Sequence, residues 1–378
     1  MARVRIVQTS DLHLRPDRPD RLRALDLVFE VARERNADMI LVAGDLFDRS
    51  IDGVPLRAAV RERIEAIAPR PVVLLPGNHD AGLYDTGTDY GDNAVVLAET
   101  PWTQRHVCGI EILGVPWQPH RTLAECLTGA TQEPRHTIVV AHGSLQDGLS
   151  GSFVGDNEDG AYMPVFLADL LRRGSYAALG HFHAGRALIH RDGPTLVAYA
   201  GSPVSTSRRE IGPRGCLVVD FEPSVGVVDH VFVPLAVPFY DRVEVACLPG
   251  REAAAVDALC REAVARRQPG AQVLARLSGV TLASEATLRD AATAALARAW
   301  EHAAEAGSTT AAPDDPTVSR PILELTAHSY AQLAELPLAT ELVEKITACA
   351  SSTGTTADSA VVQAAIRAGL SALLEVLA

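Results

Sequence analysis

Short apolar runs, each closed by a polar segment that carries glycine, aspartate, asparagine or histidine, recur through the first 200 or so residues and constrain what this chain can fold into. Val4–Gln8, Met39–Ala43, Val72–Leu75, Ile110–Val115, Ile138–Ala141 and Ala177–Leu179 read as buried strands. Amphipathic stretches lie between them. Asp20 is placed to cap a helix with the stripe Leu22, Leu25, Val28, Phe29 and Ala32; Val60, Ile64 and Ile67 mark a second helix, and Pro164–Leu171 a third. Three strands follow closely at Thr195–Tyr199, Cys216–Phe221 and Val227–Val233. Alternation of strand and helix, then a late run of strands, implies a layered α/β fold around a central sheet or sandwich.

A break at Pro234–Pro238 divides the chain into expected domains at 1–238 and 239–378. In the second domain a strand (Val243–Cys247), a helix (Glu252–Arg267), a strand (Gln272–Leu277) and a helix (Glu285–Glu305) suggest a small α+β unit. Gly307–Pro316 reads as a loop, and residues 357–377 as a C-terminal helix with Val362, Ile366, Leu370, Leu373 and Leu377 on one face.

The polar segments carry the chemistry. Asp11-Leu12-His13 follows the first strand, and in an extended segment residues two apart face the same way, so one carboxylate and one imidazole can share an ion. Gly44-Asp45-Leu46-Phe47-Asp48 follows the second, where glycine permits a tight turn. Gly77-Asn78-His79-Asp80 follows the third: Asn78 offers a neutral oxygen, and His79 a general acid or phosphate donor near neutral pH. His142 ends the run Val140-Ala141, and Gly180-His181-Phe182-His183 places two imidazoles two residues apart. Singly, each segment has an ordinary explanation as a helix cap, a turn or a hydrogen-bonded core histidine.

Together the five supply nitrogen and oxygen donors for two metal ions. Two such ions about 3.5–4 Å apart can activate water and stabilise the attacking and leaving oxygens of an in-line displacement. Mixed imidazole, carboxylate and amide donors suit manganese, iron or zinc, and the lack of thiolates speaks against a structural zinc site.

The order D-x-H, G-D-x-x-D, G-N-H-D, H, G-H-x-H resembles the calcineurin-like metallophosphoesterase superfamily. Three longer strings, Thr9 to Leu14, Val42 to Asp48 and Tyr176 to His183, with Tyr199-Ala200-Gly201-Ser202-Pro203 after them, resemble its SbcD-type DNA repair exonuclease branch. The resemblance covers about residues 3–240 and the rest only in outline. It implies a β-sandwich flanked by helices with a small α+β capping domain. It implies that Asp11, His13, Asp45 and His183 hold one ion, and Asp45, Asn78, His142 and His181 the other, with Asp45 bridging. Manganese is the implied ion, and His79 would assist ester cleavage. Asp48, standing where some relatives carry a second catalytic histidine, is taken with His79 as a catalytic position. Arg15 and Arg208 depart from the branch pattern, which has Gly and Phe there; Ser207 and Glu210 match it.

The resemblance implies a nuclease acting on DNA with an SbcC-type coiled-coil ATPase, and makes a homodimer plausible. The net charge of −13 argues against a chain that grips nucleic acid alone by a basic surface, and a partner supplying DNA affinity removes that difficulty. The alternative is a phosphodiesterase for nucleotides or other small phosphoesters. A scaffold that keeps only the fold is disfavoured by the complete donor set. No apolar stretch approaches the ~18 residues of a membrane span, no signal peptide is visible, and six scattered cysteines form no C-x-x-C, so a cytoplasmic location is expected.

Overall fold

The computed structural model describes residues 3–84, 89–130, 137–147, 162–171, 175–193, 195–305 and 318–329, with 341, 344, 345 and 369 besides. The expected loop at 307–316 and, but for residue 369, the expected helix at 357–377 lie outside the described residues.

Strand β1 (Val4–Thr9) leads through helix α1 (Pro19–Glu34) to β2 (Met39–Ala43), and through α2 (Ser50–Glu65) to β3 (Val72–Leu75) and β4 (Ala94–Val96). These four pair in parallel. A second sheet then forms from β5 (Thr103–Val107), β6 (Ile110–Val115) and β7 (Thr137–His142), with the short α3 (Leu123–Cys126) in between. A two-stranded ribbon, β8 (Ser144–Leu145) and β9 (Pro164–Val165), and α4 (Leu167–Leu171) come next, before β10 (Tyr176–Gly180), β11 (Leu188–Asp192) and β12 (Thr195–Tyr199) complete the second sheet. The chain returns to the first sheet with β13 (Gly215–Glu222) and β14 (Gly226–Pro234), both antiparallel to their neighbours. Strand orders are β14-β13-β1-β2-β3-β4 and β11-β12-β10-β7-β6-β5.

The two sheets face each other. Ile6, Leu41, Val73 and Val219 of the first share one buried cluster with Ile112, Val140, Ala178 and Ala198 of the second. The alternate residues of the first sheet, such as Val7, Ile40, Val42 and Leu74, pack beneath Leu25, Val28 and Phe29 of α1 and Val60 and Ile64 of α2. Those of the second, such as Leu113, Val139 and Leu179, pack on Leu123 and Leu170. The central strands are thus covered on both faces, which is why they are apolar throughout rather than alternating. This is the helix-flanked β-sandwich that the resemblance implied.

Several local expectations need correction. Helix α1 starts with Pro19 at its first position and Arg18 as the N-cap, so Asp20 lies in the first turn. Proline's fixed φ suits that place, and the Asp20 carboxylate accepts two hydrogen bonds from Arg18 at 2.7 and 2.9 Å instead of capping. Pro164–Leu171 is not one helix: Pro164–Val165 pairs with Ser144–Leu145, and the helix begins at Leu167, whose N–H donates to Asp147 Oδ1 at 2.8 Å. Strands β4, β5, β8 and β11, and a further strand at Ile322–Ser329, were not foreseen.

Residues 1–239 and 240–378 form two compact units. The second contains β15 (Phe239–Cys247, straddling the division), α5 (Glu252–Ala265), β16 (Ala271–Thr281), α6 (Glu285–Glu305) and β17 (Ile322–Ser329), with strand order β15-β16-β17. Its core joins Val243, Val273 and Leu277 of the sheet to Leu259 and Ala263 of α5 and Leu288, Leu296 and Trp300 of α6. No described helix is long and apolar enough to cross a membrane.

Candidate metal centre

The polar segments that end β1, β2, β3, β7 and β10 meet at one edge of the sandwich. The first two are zipped together by backbone hydrogen bonds. Asp11 N–H donates to Gly44 O (3.0 Å), His13 N–H to Asp45 O (3.0 Å), Leu14 N–H to Leu46 O (2.9 Å) and Asp48 N–H to Leu14 O (3.2 Å). Asp11, His13, Asp45 and His181 all adopt positive φ, at 55°, 48°, 50° and 115°. Side-chain-bearing residues rarely do so, and each such residue costs on the order of 1–3 kcal/mol that the surroundings must offset. Two glycines leave room for the packing. A Cβ on Gly44, itself at φ +95°, would stand 2.0 Å from His142 Nδ1, and one on Gly77 would stand 2.1 Å from Asp45 Oδ1.

The side chains converge from opposite walls. His13 Nε2 and His183 Nε2 are 3.1 Å apart, and Asp11 Oδ1 is 3.7 Å from His183 Nε2. Two donors bound to one ion at about 2.1 Å stand about 3 Å apart when they subtend a right angle, so this pair is spaced as ligands of a common ion. On the other side His142 Nε2 is 3.0 Å from Asn78 Oδ1 and 3.1 Å from Asp45 Oδ2. Asp45 lies between the halves, since its Oδ2 is also 3.9 Å from His13 Nε2. Asp45 Oδ1 accepts the His79 N–H at 2.9 Å, whereas Oδ2, fully buried, has no hydrogen-bond partner among the described residues. A buried carboxylate oxygen that faces imidazole nitrogens is suited to a cation. Three groups have potential ligand atoms all within 4.8 Å of one another: Asp11, His13 and His183; Asp11, Asp45 and His142; and His13, Asp45 and His79.

His181 enters differently. Its backbone N–H lies 3.1 Å from both Asp11 carboxylate oxygens, and its ring stands edge-on to that of His142 at 5.5 Å and stacks on Tyr162 at 5.5 Å. Its ring nitrogens belong to none of the three close groups. His79 lies edge-on to His13 with ring centroids 4.8 Å apart, and its Nδ1 lies 2.6 Å from the backbone carbonyl of Asp48. Asp48 itself turns its carboxylate to His13 Nδ1 (3.4 Å) and Arg21 Nη1 (3.0 Å).

The electrostatics follow from this crowding. Burial works to raise the Asp45 carboxyl, but His142, His13 and His79 around it hold it far below the usual carboxylate range. Burial alone would lower His142; the Asp45 and Asp11 carboxylates outweigh it and push the imidazole up to about 10. Asp48 falls to about 2 because His13 and Arg21 outweigh its burial. Asp80, buried and facing Asp45, rises to about 6. The cluster favours positive charge at its centre, and its imidazole, carboxylate and amide donors fit divalent ions.

Four residues behind the site had no role assigned to them from the sequence. Asp80 accepts from Gly77 N–H (2.9 Å), Phe47 N–H (3.2 Å) and the Tyr84 hydroxyl (3.1 Å), tying the third segment to the second; its place in G-N-H-D was the available signal. Arg21, Glu210 and Arg214 are buried beside His13 and His183. Of these only Glu210, by matching the branch pattern, could have been noticed.

The family model described as calcineurin-like phosphoesterase matches residues 4–224. The chain is 29% identical over 269 residues to the DNA double-strand break repair protein Mre11 of Aeropyrum pernix, covering 61% of each chain. To the protein of the same name from Sulfurisphaera tokodaii it is 26% identical over 256 residues, covering 61% of this chain and 63% of that one. The chain thus spans under two thirds of the length of these relatives. Among solved structures it resembles GAP50, the anchor in the inner membrane complex of Plasmodium, with a TM-score of 0.38 and 12% identity over 62% of this chain and 90% of that one, a score too low to bear on function.

Proposed function

The chain belongs to the calcineurin-like phosphoesterase family, and from that membership we propose that it is a two-metal phosphodiesterase cleaving DNA in strand-break repair. The observation that carries the two-metal part is the convergence of two donor groups on the buried carboxylate of Asp45, whose Oδ2 faces His142 Nε2 at 3.1 Å and His13 Nε2 at 3.9 Å. In this reading Asp11, His13, Asp45 and His183 hold one ion and Asp45, Asn78, His142 and His181 the other, with manganese as the ion. When bound, the pair supplies Lewis-acid polarisation of the phosphate and activation of water. The chain's own residues do the rest. The two walls fix the donors before substrate arrives, and the burial of Asp45 keeps competing water from its carboxylate. His79, oriented through Nδ1 by the Asp48 carbonyl, presents Nε2 to the ester, where it donates a hydrogen bond or a proton to the leaving oxygen.

DNA as substrate is supported by the likeness to the two Mre11 proteins, described as acting in DNA double-strand break repair. The net charge of −13 supports a division of labour, in which a coiled-coil ATPase of the SbcC type supplies DNA affinity and residues 239–378 act as an accessory module of the nuclease, which works as a homodimer. The five described cysteines form no disulfide, in keeping with a cytoplasmic location. The same acidic charge favours a second reading, a phosphodiesterase for nucleotides or other small esters.

Incubation with manganese and end-labelled linear duplex DNA, beside Asp45→Ala and His79→Ala, tests both. Manganese-dependent degradation lost in Asp45→Ala and reduced roughly 10²–10⁴-fold in His79→Ala supports the nuclease. Hydrolysis of bis-p-nitrophenyl phosphate without DNA cleavage, even with the ATPase partner added, favours the small ester. Neither activity at any manganese concentration overturns the assignment.

A further inference from the structure

Two buried arginines stand behind the site in mirrored positions. Arg21, on α1, is 4% exposed; its Nη1 donates to the backbone carbonyl of His13 and to Asp48 Oδ1 at 3.0 Å. Arg214, just before β13, is fully buried; its Nη1 donates to the backbone carbonyl of His183 at 2.9 Å and lies 3.5 Å from Glu210 Oε2. Each carboxylate in turn faces the Nδ1 of the histidine whose carbonyl its arginine holds: Asp48 Oδ1 at 3.4 Å from His13 Nδ1, Glu210 Oε1 at 3.2 Å from His183 Nδ1. Thr206 fixes Glu210 further, donating its N–H at 2.9 Å and its hydroxyl. The same arrangement thus occurs twice, built from unrelated segments, behind the two imidazoles whose Nε2 atoms meet at 3.1 Å. His142 lacks it: its Nδ1 lies 2.9 Å from the backbone carbonyl of Ala43.

We propose that Asp48 and Glu210, each locked by its arginine, are paired positioning residues that hold His13 and His183 with Nδ1 protonated and Nε2 directed at one metal ion. This rests on the two-ion reading above. A neutral imidazole has one N–H, and a carboxylate facing Nδ1 selects the tautomer that keeps it there, leaving the Nε2 lone pair as donor. An anionic partner also makes the imidazole a stronger ligand, and loss of such a partner typically costs roughly 10–100-fold in metal affinity or activity. Each arginine anchors its carboxylate and, through the carbonyl it binds, the histidine backbone at the same time. Asp48 is thereby moved from a catalytic to a positioning role. Its carboxylate faces His13, Arg21 and, at 3.5 Å, Arg15 Nη1, while His79 Nδ1 meets its backbone carbonyl, a contact that survives side-chain replacement.

The test begins with the wild-type protein loaded with zinc, a diamagnetic ion. Nitrogen NMR of labelled histidine should show Nδ1 protonated and Nε2 bound to metal in both His13 and His183; a protonated Nε2 or a metal-bound Nδ1 in either ring overturns the proposal. Equilibrium dialysis with manganese then compares wild type, Asp48→Ala and Glu210→Ala. One ion should retain wild-type affinity and the other weaken roughly 10–100-fold. Asp48→Asn and Glu210→Gln should recover part of the loss, because an amide oxygen still accepts the Nδ1 proton. Should Glu210→Ala strand Arg214 and fail to fold, the wild-type spectra and the Asp48 variants decide alone. Two ions bound equally well by wild type and both Asp48 variants overturn the brace while leaving the two-ion reading intact. Fewer than two ions bound by wild type overturns that reading and the brace with it.

Discussion

Gly77 shows how little slack the centre has. A methyl group there would stand 2.1 Å from Asp45 Oδ1 and 2.6 Å from the Asp45 backbone nitrogen, so Gly77→Ala must displace the carboxylate proposed to bridge both ions. A shift approaching 1 Å at reacting groups costs on the order of 100-fold in rate. Gly77→Ala is therefore expected to lose about that much manganese-dependent turnover while retaining wild-type far-ultraviolet circular dichroism, which steady-state assays beside a spectrum would check. At this scale the sequence was informative wherever a donor sat directly after a strand. Asp11, His13, Asp45, Asn78 and His142 were legible because the end of a parallel strand brings its next residues to a common edge. Arg21 and Arg214 were not, because a single arginine in an amphipathic helix or before a strand ordinarily reads as solvated. Only contacts spanning 27 and 31 residues reveal otherwise.

Among the elements, α5 is held at its start by one carboxylate. Glu252 Oε1 accepts the N–H of Leu282 at 2.7 Å, the N–H of Gly250 at 3.1 Å and the Thr281 hydroxyl at 3.3 Å, joining the helix start to the end of β16. Partial burial works to raise this carboxyl, but the hydrogen bonds prevail and lower it. The contribution is therefore complete above the unfolded-state value and is lost as pH falls through the lower folded-state value. Glu252→Gln is expected to destabilise the second unit by about 1 kcal/mol at neutral pH, with the difference from wild type shrinking in acid; urea unfolding at pH 7 and pH 4 measures both. Two of the overlooked strands share a physical cause. Thr103–Val107 and Leu188–Asp192 lie at the two edges of the second sheet and are partly exposed, so they carry Gln, Arg, His and Asp where interior strands carry Val and Ile. The helices α5 and α6 were legible because their apolar stripes are long and regular.

On the scale of the whole sandwich, Gln8 is the polar strut between the sheets. It is fully buried in β1, and its Nε2 crosses to the second sheet to donate to Leu179 O (3.1 Å) and Ala198 O (3.0 Å), while its Oε1 accepts the Tyr176 hydroxyl. Gln8→Leu fills similar volume but leaves a buried hydroxyl without its acceptor, a loss of about 2 kcal/mol. Thermal unfolding should show the lowered Tm, and because Leu179 leads directly into Gly180 and His181, manganese affinity should fall with it. Double replacement by Gln8→Leu with Tyr176→Phe should recover part of the stability, since both ends of the lost bond are then apolar. The layered architecture was legible from the alternation of strands and helices. The partition of strands between two sheets was not, since it depends on the return of β13 to β1 across more than 200 residues.

The hydrogen-bonded zipper between the segments after β1 and β2 also dictates where such a chain can change length. Its rungs alternate between residues 11–14 and 44–48, and a single inserted or deleted residue in either rail would put His13 or Asp45 out of step with its partner. The backbone rungs would survive exchange of side chains such as Leu12 or Leu46, but not a gap. Diversification among proteins of this design must therefore be written in connections remote from these rails, with the spacing Asp11 to His13 and Asp45 to Asp48 kept as a fixed gauge.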